Sequence, residues 1–132
     1  FRGAHTVSRS SDHSLVGELQ RKGRLDENAA LNHPQRNVLL SCLGSEREPR
    51  IDYGREESPV AGDCFLLCSD GLWAYFTDFE LAATLQEFPP RAAAERLIAQ
   101  VRERAGGSGD NISLAVIKLV PTQSAAASAQ IS

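Results

Sequence analysis

The second half of the chain contains two apolar segments with the length and composition of β-strands. The segment CFLLCS, residues 64–69, is apolar at both odd and even positions. A strand that is apolar on both faces lies between other layers of structure, so this segment is predicted to be a buried strand. The segment ISLAVIKLV, Ile112–Val120, is predicted to be a second strand.

Two helices are predicted between these strands. Thr77 and Glu80 have the T-x-x-E spacing of a capping box, which predicts a helix over residues 78–87. The pair Pro89-Pro90 ends that helix, because proline lacks the backbone N–H that a helix interior needs. Apolar residues at helical spacing then predict a second helix over residues 91–105.

The first half of the chain has two short helical patterns. SLVGELQRKG, residues 14–23, predicts a weakly amphipathic helix that ends at Gly23. Asp26 is predicted to cap a short helical turn. That turn ends before Pro34, because the residue before a proline is disfavoured in helical conformation.

Three other segments of the first half are predicted to be extended. Residues 4–8 alternate between apolar and polar and predict a short strand. VLLSCLG, residues 38–44, predicts an apolar strand or buried segment, and IDYGREESP, residues 51–59, predicts an exposed edge strand.

Composition and charge exclude several classes of partner. Hydrophobic residues make up 42% of the 132 residues, charged residues 23%, and the formal net charge is −3, as in an ordinary globular domain. This balance argues against nucleic acid or an anionic membrane as a partner. No apolar run approaches the ~20 residues that span a bilayer, and no signal peptide is recognisable.

The three cysteines indicate a reducing compartment. Cys42, Cys64 and Cys68 all lie in apolar segments, which predicts buried, reduced thiols and a cytoplasmic protein. No histidine clusters with them, so a zinc site is not expected.

The two ends of the chain also carry information. The chain begins with Phe1 and contains no methionine, so we expect an upstream portion to be absent. Residues 121–132 are rich in small residues and are predicted to be a disordered tail. Residues 1–120 are therefore taken as the folded part.

Two aspartates are the candidate functional residues. Asp70 follows the first predicted strand, and Asp110 precedes the second after a Gly/Ser run. If the strands are antiparallel neighbours, both carboxylates emerge at the same edge of the sheet. Paired carboxylates repel each other unless a cation lies between them, and hard oxygen ligands favour Mg²⁺ or Mn²⁺.

Each aspartate also has a simpler interpretation. Asp-Gly is a common turn dipeptide, so turn chemistry by itself also explains Asp70. Asp110 can likewise cap the turn before its strand. The residues alone leave both interpretations open.

Four segments, in order, resemble the metal-dependent protein serine/threonine phosphatases of the protein phosphatase 2C family, particularly its bacterial members. LLCSDGLW and GGSGDNISLAVIKL resemble the last two signature segments of that family. SSDHSLV and HPQRNVLLSCLG resemble its middle segments. The similarity runs from Ser8 to Leu119 and corresponds to the C-terminal half of such an enzyme.

The resemblance implies an α+β fold, the C-terminal part of an α-β-β-α sandwich in which helices flank antiparallel sheets. It implies two Mn²⁺ or Mg²⁺ ions in the full-length enzyme, with Asp70 and Asp110 ligating one of them and Asn111 orienting a neighbouring group. The family's Asp-Gly-His segment, its early acidic ligands and its phosphate-binding arginine are missing from this sequence. Ala74 replaces an acid that family members often carry, so the resemblance does not support a third metal site.

The resemblance also implies a reaction. A metal-activated water hydrolyses phosphoserine or phosphothreonine on proteins phosphorylated by a serine/threonine kinase, and no side chain serves as nucleophile. His33 and Arg36 fall in a segment that resembles a mobile flap beside the active site, whereas His13 is expected to be structural. The competing hypothesis is a non-catalytic divalent-cation-binding scaffold, and the 132-residue chain alone is expected to have little or no activity.

Overall fold

A computed structural model of the chain describes residues 1–107 and 109–122. Two compact units are formed. The loop unit comprises residues 8–56, and the ribbon unit comprises residues 1–7 together with the described residues from 57 onward. The elements, in chain order, are α1 (Leu15–Arg21), α2 (Glu27–Leu31), β1 (Cys64–Cys68), α3 (Asp70–Trp73), α4 (Asp78–Glu87), α5 (Pro90–Ala105) and β2 (Leu114–Lys118).

The two strands form an antiparallel ribbon, as the α+β prediction requires. Cys64 pairs with Lys118 at one end, and Cys68 pairs with Leu114 at the other. Strand β2 is shorter than the predicted range 112–120, because pairing with β1 covers only five positions.

Within the ribbon unit, helices α3, α4 and α5 form a single core with one face of the ribbon. The buried members of that core are Cys64, Leu72, Phe76, Leu81, Leu85, Ala93, Leu97 and Val101. On the opposite face, Phe65, Leu67 and Ile117 are exposed, and Leu67 has 59% of its surface accessible. The prediction that residues 64–69 are buried on both faces is therefore wrong, since no described layer covers the second face.

Helix α4 begins and ends as predicted. Thr77 Oγ1 accepts a hydrogen bond from the Glu80 amide at 3.3 Å, and Glu80 Oε2 accepts one from the Thr77 amide at 2.8 Å. These reciprocal bonds satisfy two amides at the helix start. Phe76 and Leu81, which flank the capping box, are both buried in the core.

Helix α5 is held against the start of α4 by Arg104. This helix begins with Pro90, one residue before the predicted start, and ends at Ala105, after which Gly106 caps it with a φ of 57°. Arg104 donates to Glu80 Oε1 at 2.6 Å and to the Tyr75 carbonyl, and its guanidinium lies 4.6 Å from the centre of the Phe76 ring. The hydrogen bond from Arg104, followed by the one from the Thr77 amide, lowers the pKa of Glu80.

Both helical predictions in the loop unit are confirmed. In α1, the Ser14 hydroxyl accepts a hydrogen bond from the Gly17 amide at 3.0 Å. Gly23 follows the helix with a φ of +65°, a conformation that glycine adopts without strain. In α2, Asp26 Oδ1 accepts from the Ala29 amide at 2.7 Å, so Asp26 is the predicted cap.

The strands predicted over residues 4–8, 38–44 and 51–59 are wrong. In those segments the structure has isolated bridges at His5 and Leu39 and no strand. Tyr53 is 92% exposed and Leu43 is 88% exposed. An apolar segment forms a strand only where a neighbouring strand satisfies its backbone and a layer covers its side chains, and the described residues provide neither.

The cysteine prediction is correct in part. Cys64 is buried, and burial raises the pKa of its thiol. Cys68 is half-buried on the same side of β1, but Cys42 is exposed, because residues 38–44 form no strand. All three are free thiols.

The predicted tail falls mainly outside the described residues. Residues 121 and 122 have no regular structure, and the remainder of the tail lies beyond the part that is described. The division into a folded part over residues 1–120 and a tail over residues 121–132 therefore stays a prediction. Among the described helices, none combines the length and apolar character needed to cross a bilayer.

Candidate metal site

The antiparallel ribbon brings the two aspartate loops to the same end. Asp70 comes two residues after Cys68, the last residue of β1, and Asp110 comes four residues before Leu114, the first residue of β2. Because Cys68 and Leu114 are paired, both loops leave the ribbon at the same end. This is the arrangement that the sequence predicts for antiparallel strands.

The two loops are in direct contact at Gly71. A Cβ atom on this residue would lie 2.3 Å from the Asn111 carbonyl oxygen and 3.5 Å from the Asp110 carbonyl carbon. The first distance is far below a van der Waals contact, so only glycine allows this approach without a shift. Gly71 directly follows Asp70, and the contact therefore places the backbone beside Asp70 against the backbone of the Asp110 loop.

Each carboxylate is oriented by the amide of the residue that follows it. Asp70 Oδ1 accepts from the Gly71 amide at 3.0 Å, and Asp110 Oδ1 accepts from the Asn111 amide at 2.7 Å. Both aspartates are exposed, and neither forms an ion pair with another described residue. The turn role and the ligand role are therefore compatible, because the local bond uses one oxygen of each carboxylate.

The donor set fits a divalent cation in part. Two carboxylates supply hard oxygen ligands, which suit Mg²⁺ or Mn²⁺. Among residues 1–107 and 109–122, no group of three or more His, Cys, Asp or Glu side chains is placed to hold a metal ion. Two carboxylates are fewer than the ligands that such a cation takes, so the assignment of Asp70 and Asp110 as ligands of one cation stays a prediction.

Asn111 participates in the site through its backbone. Its amide donates to Asp110, and its carbonyl accepts a hydrogen bond from the Ser69 hydroxyl at 3.2 Å. The proposed role of its side chain in orienting a neighbour stays a prediction. Sequence reasoning did not single out Ser69, which lies within the LLCSDGLW segment immediately before the Asp-Gly pair.

The histidines and the arginine singled out in the sequence lie in the loop unit. His33 is half-buried, and its Nδ1 accepts from the Gln35 amide at 3.1 Å, while Arg36 is exposed. Their assignment to a substrate flap stays a prediction. His13 Nε2 lies 2.8 Å from Asp52 Oδ2, a contact that suits a structural role and lowers the pKa of the Asp52 carboxyl.

Comparison with known proteins identifies bacterial phosphatases as relatives. The chain is 33% identical over 119 residues to protein phosphatase PhpP of Streptococcus pneumoniae serotype 2. This alignment covers 90% of this chain and 48% of PhpP. It is 33% identical over 115 residues to the serine/threonine phosphatase Stp of Listeria monocytogenes serotype 4b. That alignment covers 86% of this chain and 44% of Stp. No model of a protein family matches the chain.

A solved structure gives the same result. The serine/threonine phosphatase of S. agalactiae matches with a TM-score of 0.76 and 32% identity, over 89% of this chain and 48% of that one. The resemblance to bacterial serine/threonine phosphatases is therefore confirmed. The chain spans about half the length of the relatives that it matches.

Proposed function

We propose that this chain, as part of a metal-dependent protein serine/threonine phosphatase of the bacterial protein phosphatase 2C type, hydrolyses phosphoserine and phosphothreonine on proteins. In this proposal Asp70 and Asp110 bind one divalent cation of the active site. The observation that supports it most directly is the contact between Gly71 and the Asn111 carbonyl, which joins the two aspartate loops in a chain related to phosphatases.

The proposed chemistry divides between ions and protein. Mn²⁺ or Mg²⁺, two ions in the full-length enzyme, would offset the charge of a phosphate monoester and lower the pKa of a coordinated water. The residues of this chain would orient the two carboxylates that bind one cation. The amides of Gly71 and Asn111 fix one oxygen of each carboxylate, which leaves the other oxygen for the cation.

Two carboxylates are too few for the complete reaction. They cannot supply the ligands of two divalent ions, and the sequence lacks the family's phosphate-binding arginine. We therefore propose that the 132-residue chain alone has little or no activity, and that the remaining groups belong to other parts of the enzyme. The proposed partners are cytoplasmic phosphoproteins that are substrates of a serine/threonine kinase.

The test is manganese-dependent hydrolysis of p-nitrophenyl phosphate by the full-length product of the gene. Asp70→Asn and Asp110→Asn should each lower the rate at least about 100-fold, because each removes a charged ligand of the cation. Glu87→Gln removes the same charge from an exposed helix end and should leave the rate within about twofold. Equal rates for Asp70→Asn and the parent would refute the assignment.

A non-catalytic cation-binding scaffold is the second candidate. It is favoured by one observation, the absence of a third acidic or histidine ligand near the pair among the described residues. In this case the full-length protein would bind Mn²⁺ through Asp70 and Asp110 but would hydrolyse p-nitrophenyl phosphate no faster than the Asp70→Asn variant.

A further inference from the structure

We propose that the hydroxyl of Ser69 is a positioning group that sets the separation of the Asp70 and Asp110 loops. The inference rests on the proposed role of the two aspartates as ligands of one cation. Ser69 would touch neither the cation nor the substrate. It would act through the backbones of the Asp70 loop and the Asp110 loop.

The Ser69 hydroxyl connects the two loops through both of its hydrogen-bonding functions. Its Oγ donates to the Asn111 carbonyl at 3.2 Å and accepts from the Ser113 amide at 3.1 Å. The backbone amide of Ser69 donates to the Ser113 carbonyl at 2.9 Å. Three hydrogen bonds therefore attach one residue to the segment that leads from Asp110 into β2.

The position of Ser69 in the fold makes this bonding pattern unusual. Ser69 is the residue that precedes helix α3, and a serine there ordinarily accepts a hydrogen bond from an amide of the first turn. Here its side chain makes no such capping bond. The hydroxyl bonds across the ribbon instead, beyond the last paired residues, Cys68 and Leu114.

Both neighbours of Asp70 act on the same carbonyl group. Ser69, before Asp70, donates a hydrogen bond to the Asn111 carbonyl, and Gly71, after Asp70, allows close approach to that oxygen. Asn111 itself directly follows Asp110. The two aspartates are thus separated by a short, fixed path through Ser69 and Asn111, and a cation bound by both would require less ordering of the loops.

The first test uses the metal-free 132-residue chain and amide hydrogen exchange measured by NMR. In Ser69→Ala, exchange of the Ser113 amide should accelerate about fivefold relative to global unfolding, the effect of one lost hydrogen bond. Ser69→Thr retains the hydroxyl and should restore the protection.

Thr84→Val is the matched control, because it also removes a hydroxyl that bonds to backbone, the 3.0 Å bond from Thr84 Oγ1 to the Glu80 carbonyl. It should leave the protection of Ser113 unchanged relative to global unfolding. Unchanged protection in Ser69→Ala, or an equal loss in Thr84→Val, would overturn the proposal.

The second test adds Mn²⁺ to the full-length protein, which carries the remaining ligands, and follows paramagnetic broadening of the Gly71 and Asn111 amides. In the parent, both signals should broaden with the same midpoint Mn²⁺ concentration. In Ser69→Ala that midpoint concentration should rise about fivefold, and in Ser69→Thr it should stay near the parent value. An unchanged midpoint despite lost Ser113 protection would overturn the positioning role. If millimolar Mn²⁺ broadened neither signal in the parent, the shared cation itself would be refuted, and the metal-free exchange data would distinguish that result from failure of the Ser69 contact.

Discussion

The ribbon unit and the loop unit bury very different amounts of their apolar side chains. In the ribbon unit, Leu72, Leu85, Leu97 and Val101 each have less than 2% of their surface exposed. Among the described side chains of the loop unit, Val16 and Ala30 are the buried apolar ones, whereas Leu39 and Leu43 are largely exposed. Apolar residues are present in both units, so the difference lies in what is available to cover them.

The comparison shows that an apolar segment forms a packed helix or strand only where another apolar surface covers it. Helices α4 and α5 present apolar faces to each other and to one face of the ribbon, so their side chains leave water together. The segment 38–44 has five hydrophobic residues among its seven, but no described strand pairs along it. Because burial provides the main favourable free energy of folding, the ribbon unit should dominate the stability of the chain.

The largest expected effect is the loss of a core side chain from the ribbon unit. Leu97→Ala should lower the free energy of unfolding by about 2–5 kcal/mol, since it leaves a cavity at a fully buried position. The measurement is urea unfolding followed by circular dichroism. Leu43→Ala makes the same chemical change at an 88% exposed position of the loop unit and should change stability by less than about 0.5 kcal/mol. Similar losses in the two variants would contradict the comparison.

The next effect concerns two glycines, one in each unit. Gly71→Ala should destabilise the chain by about 2 kcal/mol, because the new Cβ would lie 2.3 Å from the Asn111 carbonyl oxygen. Gly54→Ala adds the same atom where nothing lies within 4 Å, and it should be neutral within about 0.5 kcal/mol. Differential scanning calorimetry of both variants measures the contrast, and a neutral Gly71→Ala would refute the close packing of the aspartate loops.

A smaller effect is expected from the helix caps. Thr77→Ala removes the cap of the ten-residue helix α4 and should cost about 1 kcal/mol in unfolding free energy. Asp26→Ala removes the cap of α2, a helix of five residues in the loop unit, and should cost about half as much, because less packed structure depends on it. Thermal unfolding compares them, and a larger loss for Asp26→Ala would reverse the expected order.

The smallest effect is a pH dependence centred on Asp63 in the ribbon unit. Hydrogen bonds from Arg2, at 2.7 and 2.8 Å, and then from the Val60 amide lower the pKa of Asp63 from 3.8 to about 2. Since the folded-state pKa is the lower one, this contribution is present above about pH 4 and is lost as the pH falls towards 2.

Arg2→Gln should flatten that part of the stability profile, as measured by urea midpoints between about pH 5 and about pH 2.5. In the loop unit, His13 also lowers the pKa of Asp52, but Asp52 is exposed, so His13→Asn should alter the profile less. An identical profile for Arg2→Gln and the parent would show that the Arg2 contact does not stabilise the fold.

Local patterns in the sequence predicted the features that depend on near neighbours. The Thr77–Glu80 spacing predicted the start of α4, because both halves of a capping box lie within one turn. The sequence placed Asp70 and Asp110 at the same end of the sheet only if the two strands were antiparallel, and the ribbon has that direction. Their role as ligands stays a prediction.

Features that depend on distant parts of the chain could not be predicted in this way. Phe65 and Leu67 are apolar, but the sequence does not specify whether a second layer covers them. The contact between Ser69 and Asn111 spans 42 positions and depends on the register of β1 and β2, for which no local pattern exists. The same applies to Cys42, whose exposure follows from the missing strand over residues 38–44.

The outer face of the ribbon has a consequence for experiments on this chain. Phe65 stands directly opposite Ile117 across the two strands, and both side chains contact water together with Leu67. Fluorescent dyes such as ANS bind clustered apolar surface of this kind. Dye emission is commonly interpreted as a sign of partial unfolding, but here the native chain itself should enhance it, and the signal should fall when denaturant separates the two strands.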